Sequence, residues 1–409
     1  MGGTYKMTKR GASIVYDYLY GKTLHEINPH IRLLPKFMLE SPGNMVWSNG
    51  VINFIPNSND WYLTLHNNFF SLGGKSIKKW FPKTELRSLN DLEYTATGFY
   101  NERGDISDLT IKIGGHVFTG SIDSNGVSLH TDELVFDVFL NREFFDQYEE
   151  MEFLANAPIM IPFDFGKNVY LSADSLTYGQ NTYKNFVYAL KSGTQTFSIT
   201  DNARGNILAT IIKEHANYDI FIQLNKFVIN GKLFSESYPL NIMNTSITAE
   251  LNLKTSGHIA HDIWYNMAGD IDVTFDGGYL SGIGLDSFYA DAENITRLNV
   301  ESRLMAALER GMTKIKTMRV IGEYKNGNFT TTKPIELSVR HADIVGNLNI
   351  NGDAMTGKFD ISLRAAAPDP VTVTLAIAPN GHRGYSMNDI MRYFDPVFMR
   401  RFIRTHNKF

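Results

Sequence analysis

The sequence predicts a mostly-β protein, an elongated antiparallel sheet whose strands keep turning back on one another, interrupted by a few short helices. Three observations carry this reading. In residues 335–377 apolar side chains recur with a period of two through four short runs: Ile335, Leu337 and Val339; Ile344, Leu348 and Ile350; Phe359, Ile361 and Leu363; Val371, Val373, Leu375 and Ile377. That period sends successive side chains to opposite faces, so each run is a strand with one apolar and one polar face. Asn-Gly pairs stand at 49, 125, 230, 326, 351 and 380, and both residues of this dipeptide tolerate the positive φ of a tight hairpin turn. Helical spacing appears in only two substantial stretches, which argues against alternating α/β units.

In chain order, Ile14, Val15, Tyr18 and Leu19 suggest a helical turn or two stopped at Gly21, and Pro29, Pro35 and Pro42 keep any helix there short. Strands begin at Val46, with Val51, Asn53 and Ile55 after a turn at Asn49-Gly50, then Trp61, Leu63 and Leu65. Residues 75–93 carry Lys75, Lys78, Lys79, Lys83 and Arg87 and read as a surface excursion. Alternation becomes regular from Asp108: Leu109, Ile111 and Ile113; Phe118 and Ile122; Val127 and Leu129; Leu134, Phe136, Val138 and Leu140. The acidic run 146–152, with Glu149, Glu150 and Glu152, reads as a solvated connection rather than a metal cluster. Strands resume at Val169 and continue to Ile229. The first helical face, Ile259, Ile263, Trp264 and Met267, is entered after Ser256-Gly257 and closed by Gly269; the second, Ile295, Leu298, Leu304, Met305 and Leu308, is stopped by Gly311. Between them Ile271, Val273 and Phe275 alternate with Asp270, Asp272, Thr274 and Asp276.

Composition narrows the function. A 43% hydrophobic, 12% aromatic chain can fill a core, which excludes disorder as the default. A formal charge of -4 argues against a nucleic-acid partner. The absence of cysteine excludes disulfides, thiolate metal sites and a cysteine nucleophile. No apolar run reaches the roughly 18 residues of a membrane-spanning helix, and the N-terminal stretch from Met1 to Lys6 lacks the apolar core of a signal peptide. Either the protein is cytosolic, or a membrane anchor or export signal lies outside this sequence.

No catalytic constellation, metal set or cofactor motif emerges, and none is expected. Asp270, Asp272 and Asp276 share a parity and form the wet side of an amphipathic strand. His258 and His261 are spaced for a metal pair, but no third ligand travels with them, and they read as capping or surface histidines. Gly282-Ile283-Gly284 lacks the third glycine of a dinucleotide fingerprint. Asn294-Ile295-Thr296 matches a glycosylation sequon by pattern only, within the second helical stretch. Trp47, Trp61, Trp80 and Trp264 are too scattered for a sugar-stacking platform.

Two segments carry a resemblance. LNLKTSGHIAHDIWYNMAGDIDVTFDGGYLSGIGLDSF, beginning at Leu251, resembles the C-terminal region of the AsmA family: a strand, a Thr-Ser-Gly step, a short helix, a glycine-bearing strand and a closing Leu-Ser-Gly-Ile-Gly-Leu-Asp. YKNGNFTTTKPIELSVRHADIVGNLNINGDAMTGKFDISLRA, beginning at Tyr324, is similar to that family's final strands, and the block from Pro158 to Lys191 resembles the strand repeats that precede them. The likeness runs from about 95 to 378, dividing the chain into an N-terminal segment 1–94 of mixed short helices and strands, an AsmA-like groove region 95–378 and a tail 379–409. It implies a curved, taco-like sheet related to bridge-like lipid-transfer proteins, associated with membranes in the periplasm of a Gram-negative bacterium. It further implies phospholipid as cargo, outer-membrane lipid homeostasis as the role, and a membrane or membrane-protein partner at one or both ends.

The residues support the same expectation. A long apolar face with little helix to cover it is costly in water unless occupied, and acyl chains are suitable occupants. The candidate lining is Leu251, Leu253, Ile271, Val273, Phe275, Ile335, Leu337, Val339, Ile344, Leu348, Ile350, Phe359, Ile361 and Leu363. The tail joins Ile390, Tyr393, Phe394, Val397, Phe398 and Phe402 to Arg392, Arg400, Arg401, Arg404 and Lys408, a basic amphipathic composition suited to anionic headgroups or a membrane-protein partner, or to plugging the end of the sheet. Two alternatives stay open: a sandwich whose faces cover each other, and a non-enzymatic scaffold aiding outer-membrane protein assembly through its sheet edges.

Overall fold

The protein is mostly β. The structure, a computed structural model, describes residues 2–7, 43–77, 90–139, 168–179, 181–234, 238–257, 260–291, 294–296, 298–352, 354–364 and 371–386. The chain forms two compact units, Met1–Ile199 and Thr200–Phe409, which divide inside the expected 95–378 region.

The first unit contains β1 (Gly2–Met7), β2 (Gly43–Ser48), β3 (Val51–Pro56), β4 (Trp61–His66), β5 (Phe69–Gly74), β6 (Tyr94–Tyr100), β7 (Ile106–Ile113), β8 (His116–Ile122), β9 (Gly126–Val135), β10 (Asn168–Tyr178) and β11 (Asn181–Lys191), with β12 (Thr194–Thr200) ending at its boundary. β1 to β9 pair antiparallel in chain order, β10 joins β9 in parallel, and β11 pairs antiparallel with β10. Registered neighbours place Phe54, Leu63, Leu72, Ala96, Ile111 and Phe118 in one apolar row. The other parity puts Asn53, Thr64, Ser71, Thr97, Thr110, Thr119, His130 and Ser172 in a polar row. The alternation read from sequence thus becomes two chemically distinct faces.

The second unit contains β13 (Asn206–Glu214), β14 (Asn217–Lys232), β15 (Asn241–Ser256), α1 (Ala260–Tyr265), β16 (Ala268–Asp276), β17 (Tyr279–Ser281), α2 (Leu285–Ala290), α3 (Val300–Glu309), β18 (Met312–Lys325), β19 (Asn328–Thr331), β20 (Ile335–Val339), β21 (Ala342–Asn351), β22 (Ala354–Leu363), β23 (Val371–Ile377) and β24 (Arg383–Ser386). Among the described residues its strands pair antiparallel. β16 and β17 both lie between β15 and β18, as one strand broken at Gly277-Gly278. Both glycines have positive φ, and a Cβ on Gly278 would fall 2.5 Å from the Met243 carbonyl oxygen, so only glycine fits this break. β19 and β20 likewise follow one another between β18 and β21.

The helices differ from expectation in number and extent. α2 adds a helix that periodicity missed, because Leu285, Phe288 and Tyr289 mark its buried face over only six residues. α3 begins at Val300, not near Ile295: the Asn299 side chain accepts from the Thr296 N–H at 2.7 Å and donates to the Asn294 carbonyl at 3.0 Å, knitting the preceding segment into a turn. Asn294 therefore precedes the helix, and Leu298 projects from the turn 94% exposed. The Asn-Gly pairs at 49 and 326 adopt positive φ at both residues between paired strands, as two-residue hairpins require. At 351 the turn is displaced by one residue, since Asn351 pairs with Ala354. Asn230-Gly231 is no turn; it lies inside β14 where the register with β15 shifts.

Candidate functional site

The register of the second unit brings every candidate groove residue to one face. Phe227, Ile247, Phe275, Met318, Leu337, Ile344, Ile361 and Val373 stand directly opposite one another from β14 to β23. Neighbouring rows on the same parity hold Ala249, Val273 and Val320, then Ile222, Leu251 and Ile271, then Ile220 and Leu253. Ile335, Gly346, Phe359 and Leu375 form a further row, while Val339 faces Ile315 and Leu363 faces Ala342. Gly346 and Gly357 also belong to this face. The Phe359 ring lies where either glycine would carry a side chain, so an aromatic covers two bare patches of backbone.

Burial divides the face into two zones. Val339, Ile344, Ile361 and Leu363 are at most 2% exposed, and Phe275, Ile335, Leu337 and Phe359 are buried with them. They share one hydrophobic cluster with Leu285, Phe288 and Tyr289 of α2 and Val300, Leu304, Ala307 and Leu308 of α3. Leu253 is buried outside this cluster. Leu251, Ile271, Val273, Leu348 and Ile350 are only half-buried, all but Ile271 packing against that cluster, and Ile207, Ile220, Ile222, Leu224 and Phe329 on the same parity are likewise half-buried. Ile207, Ile220, Ile222 and Leu224 read as ordinary strand positions in the sequence, and only the register connects these five residues to the candidates.

Where the zones meet, a cavity of about 50 Å³ is lined by Phe234, Leu240, Ile283, Met318, Leu348 and Met355 among others. Its exposed lining is wholly apolar.

Polar bonds fix the helical insert to the sheet. Leu285 N–H donates to Thr313 Oγ1 at 2.9 Å, which itself donates to the Ile283 carbonyl at 2.6 Å. The buried Tyr289 hydroxyl donates to the His341 carbonyl at 3.2 Å, and burial pushes its pKa far above the ordinary phenol value. Arg383 donates from Nη2 to the Pro239 carbonyl at 2.6 Å and from Nη1 to the carbonyls of Gly282 and Leu308. Burial lowers the Arg383 pKa.

The opposite face is wet. Asp272 accepts two hydrogen bonds from Arg319, at 2.9 and 3.3 Å, and this hydrogen bonding lowers its carboxyl pKa. Asp270 and Asp276 share that parity and are exposed, as expected of an amphipathic strand. Arg364 forks onto Asp343, with Nε to Oδ2 at 2.8 Å, and also donates to Ser338 Oγ at 3.1 Å.

The tail arginines Arg392, Arg400, Arg401 and Arg404, the acidic run 146–152 and His258 lie outside the described residues. His261 falls in α1, with its side chain outside the description. Among the described residues no helix is long and apolar enough to cross a membrane. No family model, no curated protein and no solved structure matches this chain.

Proposed function

We propose that this protein is a non-enzymatic lipid carrier or conduit of the AsmA type, shielding phospholipid acyl chains on the apolar face of its second unit. The observation that carries the reading is that the apolar rows outrun the helices. α2 and α3 share a closed core with one zone, while Leu251, Ile271, Val273, Leu348 and Ile350 continue the same face only half-buried. Such a surface is costly in water. Each methylene moved onto it contributes on the order of 0.8 kcal/mol, so one acyl chain contributes on the order of 10 kcal/mol before its ordering cost. The sequence resemblance from Leu251 onward adds the cargo class and a periplasmic setting at the outer membrane.

The test is native mass spectrometry with lipid extraction, followed by uptake of a fluorescent phospholipid. Wild type is expected to retain stoichiometric phospholipid. Val273→Asp and Leu348→Asp should lose it while remaining folded. Val345→Asp should retain it, because Val345 lies three residues before Leu348 in β21, on the opposite parity, and is 46% exposed. A wild type that carries no phospholipid and takes none up would overturn the reading and leave a scaffold with a packed interior.

A further inference from the structure

The geometry points to a divalent-cation site on the polar face of the first unit, built by His130 and Asp132 of β9 with Asp174 of β10. This pair of strands runs parallel, and the register sets His130 opposite Ser172. Positions two apart on a strand share a face, so His130 and Asp132 on one strand and Ser172 and Asp174 on the next form a square of polar side chains. Asp132 and Asp174 are then lateral neighbours, a like-charge pairing that is unfavourable unless neutralised.

Their donor atoms gather in one small region of the polar face. His130 Nε2 lies 3.8 Å from Asp132 Oδ1 and 3.8 Å from Asp174 Oδ1, and all three ligand atoms lie within 4.8 Å of one another. A tetrahedral ion with nitrogen and oxygen donors at about 2.1 Å needs donor separations of about 3.4 Å. A shift of a few tenths of an ångström in these exposed side chains closes the nitrogen–oxygen edges to that value. Among the described residues neither carboxylate pairs with a lysine or arginine, so the imidazole is the lone cationic candidate beside two anionic groups.

Histidine orientation fits the same arrangement. His130 Nδ1 is 3.1 Å from Ser172 Oγ, so the second ring nitrogen has a polar partner while Nε2 faces the carboxylates. An outer partner of this kind fixes the ring and its tautomer in metal sites. One imidazole and two carboxylates suit a borderline ion such as Zn²⁺ rather than Ca²⁺ or Mg²⁺, which favour oxygen-only shells. The exposed setting leaves remaining coordination positions to water or an anionic ligand.

The experiment is calorimetric titration of the chelator-treated full chain with ZnCl₂, with Co²⁺ absorption as a second readout of coordination. His130→Ala and Asp174→Asn should each weaken Zn²⁺ binding at least tenfold, and Ser172→Ala should weaken it about tenfold through loss of the outer partner. His215→Ala, an exposed histidine remote in sequence, should leave binding unchanged. Circular dichroism and Tm measured without metal confirm that each variant is folded. The site is refuted if wild type takes up no Zn²⁺, or if His130→Ala binds it as wild type does.

Discussion

Arg383 bonds to three carbonyls contributed by separate parts of the chain: Pro239 before β15, Gly282 after β17 and Leu308 in α3. Removing the guanidinium leaves partly buried acceptors unpaired, at about 1–3 kcal/mol for the group that cannot regain water. Arg383→Met should accordingly lower unfolding free energy in urea by about 2–3 kcal/mol, whereas a change under about 0.5 kcal/mol would show the bonds to be dispensable. The Asp343–Arg364 pair behaves differently because it is half-exposed. Hydrogen bonding to Arg364 lowers the Asp343 carboxyl pKa from its usual 3.8. A depressed carboxylate stabilises the fold above its unfolded-state pKa and loses that contribution as pH falls through the folded value. Solvent screening keeps the pair under about 1 kcal/mol. Asp343→Asn should therefore unfold more easily than wild type at pH 7, and the gap should narrow from about pH 4 downward. A gap unchanged at pH 2 would rule out ionisation as its source.

At the scale of elements, α3 tests whether the helical insert acts as core. Val300, Leu304, Ala307 and Leu308 are buried along one side, with Leu304 and Leu308 at 0% exposure, while Leu298 lies outside the helix in solvent. Leu304→Ala should cost about 2–5 kcal/mol through transfer and cavity effects, and Leu298→Ala should stay within about 0.5 kcal/mol. Comparable losses at both sites would mean that the exposed turn contributes as much as the buried stripe. This contrast also marks what the sequence could convey. Period-two runs such as Ile335, Leu337 and Val339 were legible because one strand contains the whole pattern, and the structure keeps all three buried on β20. Leu298 fitted a helical stripe by spacing, but helix onset depended on Asn299 bonding across its own turn. The parallel pairing of β9 with β10 was illegible for a different reason, since partners such as His130 and Ser172 are 42 residues apart and no local pattern encodes their meeting. The cation cluster went unnoticed for the same cause.

Across the whole chain, the sequence resolved which residues are apolar and on which parity they fall, but gave Leu363 and Leu348 the same standing as groove candidates. Folding separates them: Leu363 is fully buried, whereas Leu348 stays half-buried, lining the small apolar cavity. Parity is local information, while coverage depends on where an insert tens of residues away comes to rest. The lipid reading consequently makes a spatial prediction for the intact molecule. A ligand that binds only the folded state stabilises it by RT ln(1 + [L]/Kd), about 2.7 kcal/mol at a hundredfold excess over Kd. If acyl chains rest on Leu251, Ile271, Val273, Leu348 and Ile350, their contacts fall on β15, β16 and β21 of the second unit. Hydrogen exchange with and without phospholipid should slow at the amides of those strands, where local opening governs exchange, and remain unchanged in β3 to β8 of the first unit. Protection confined to the first unit would place the lipid elsewhere. Equal slowing throughout the chain would point to non-specific association with the lipid surface, because occupation of one apolar zone has no reason to protect both units alike.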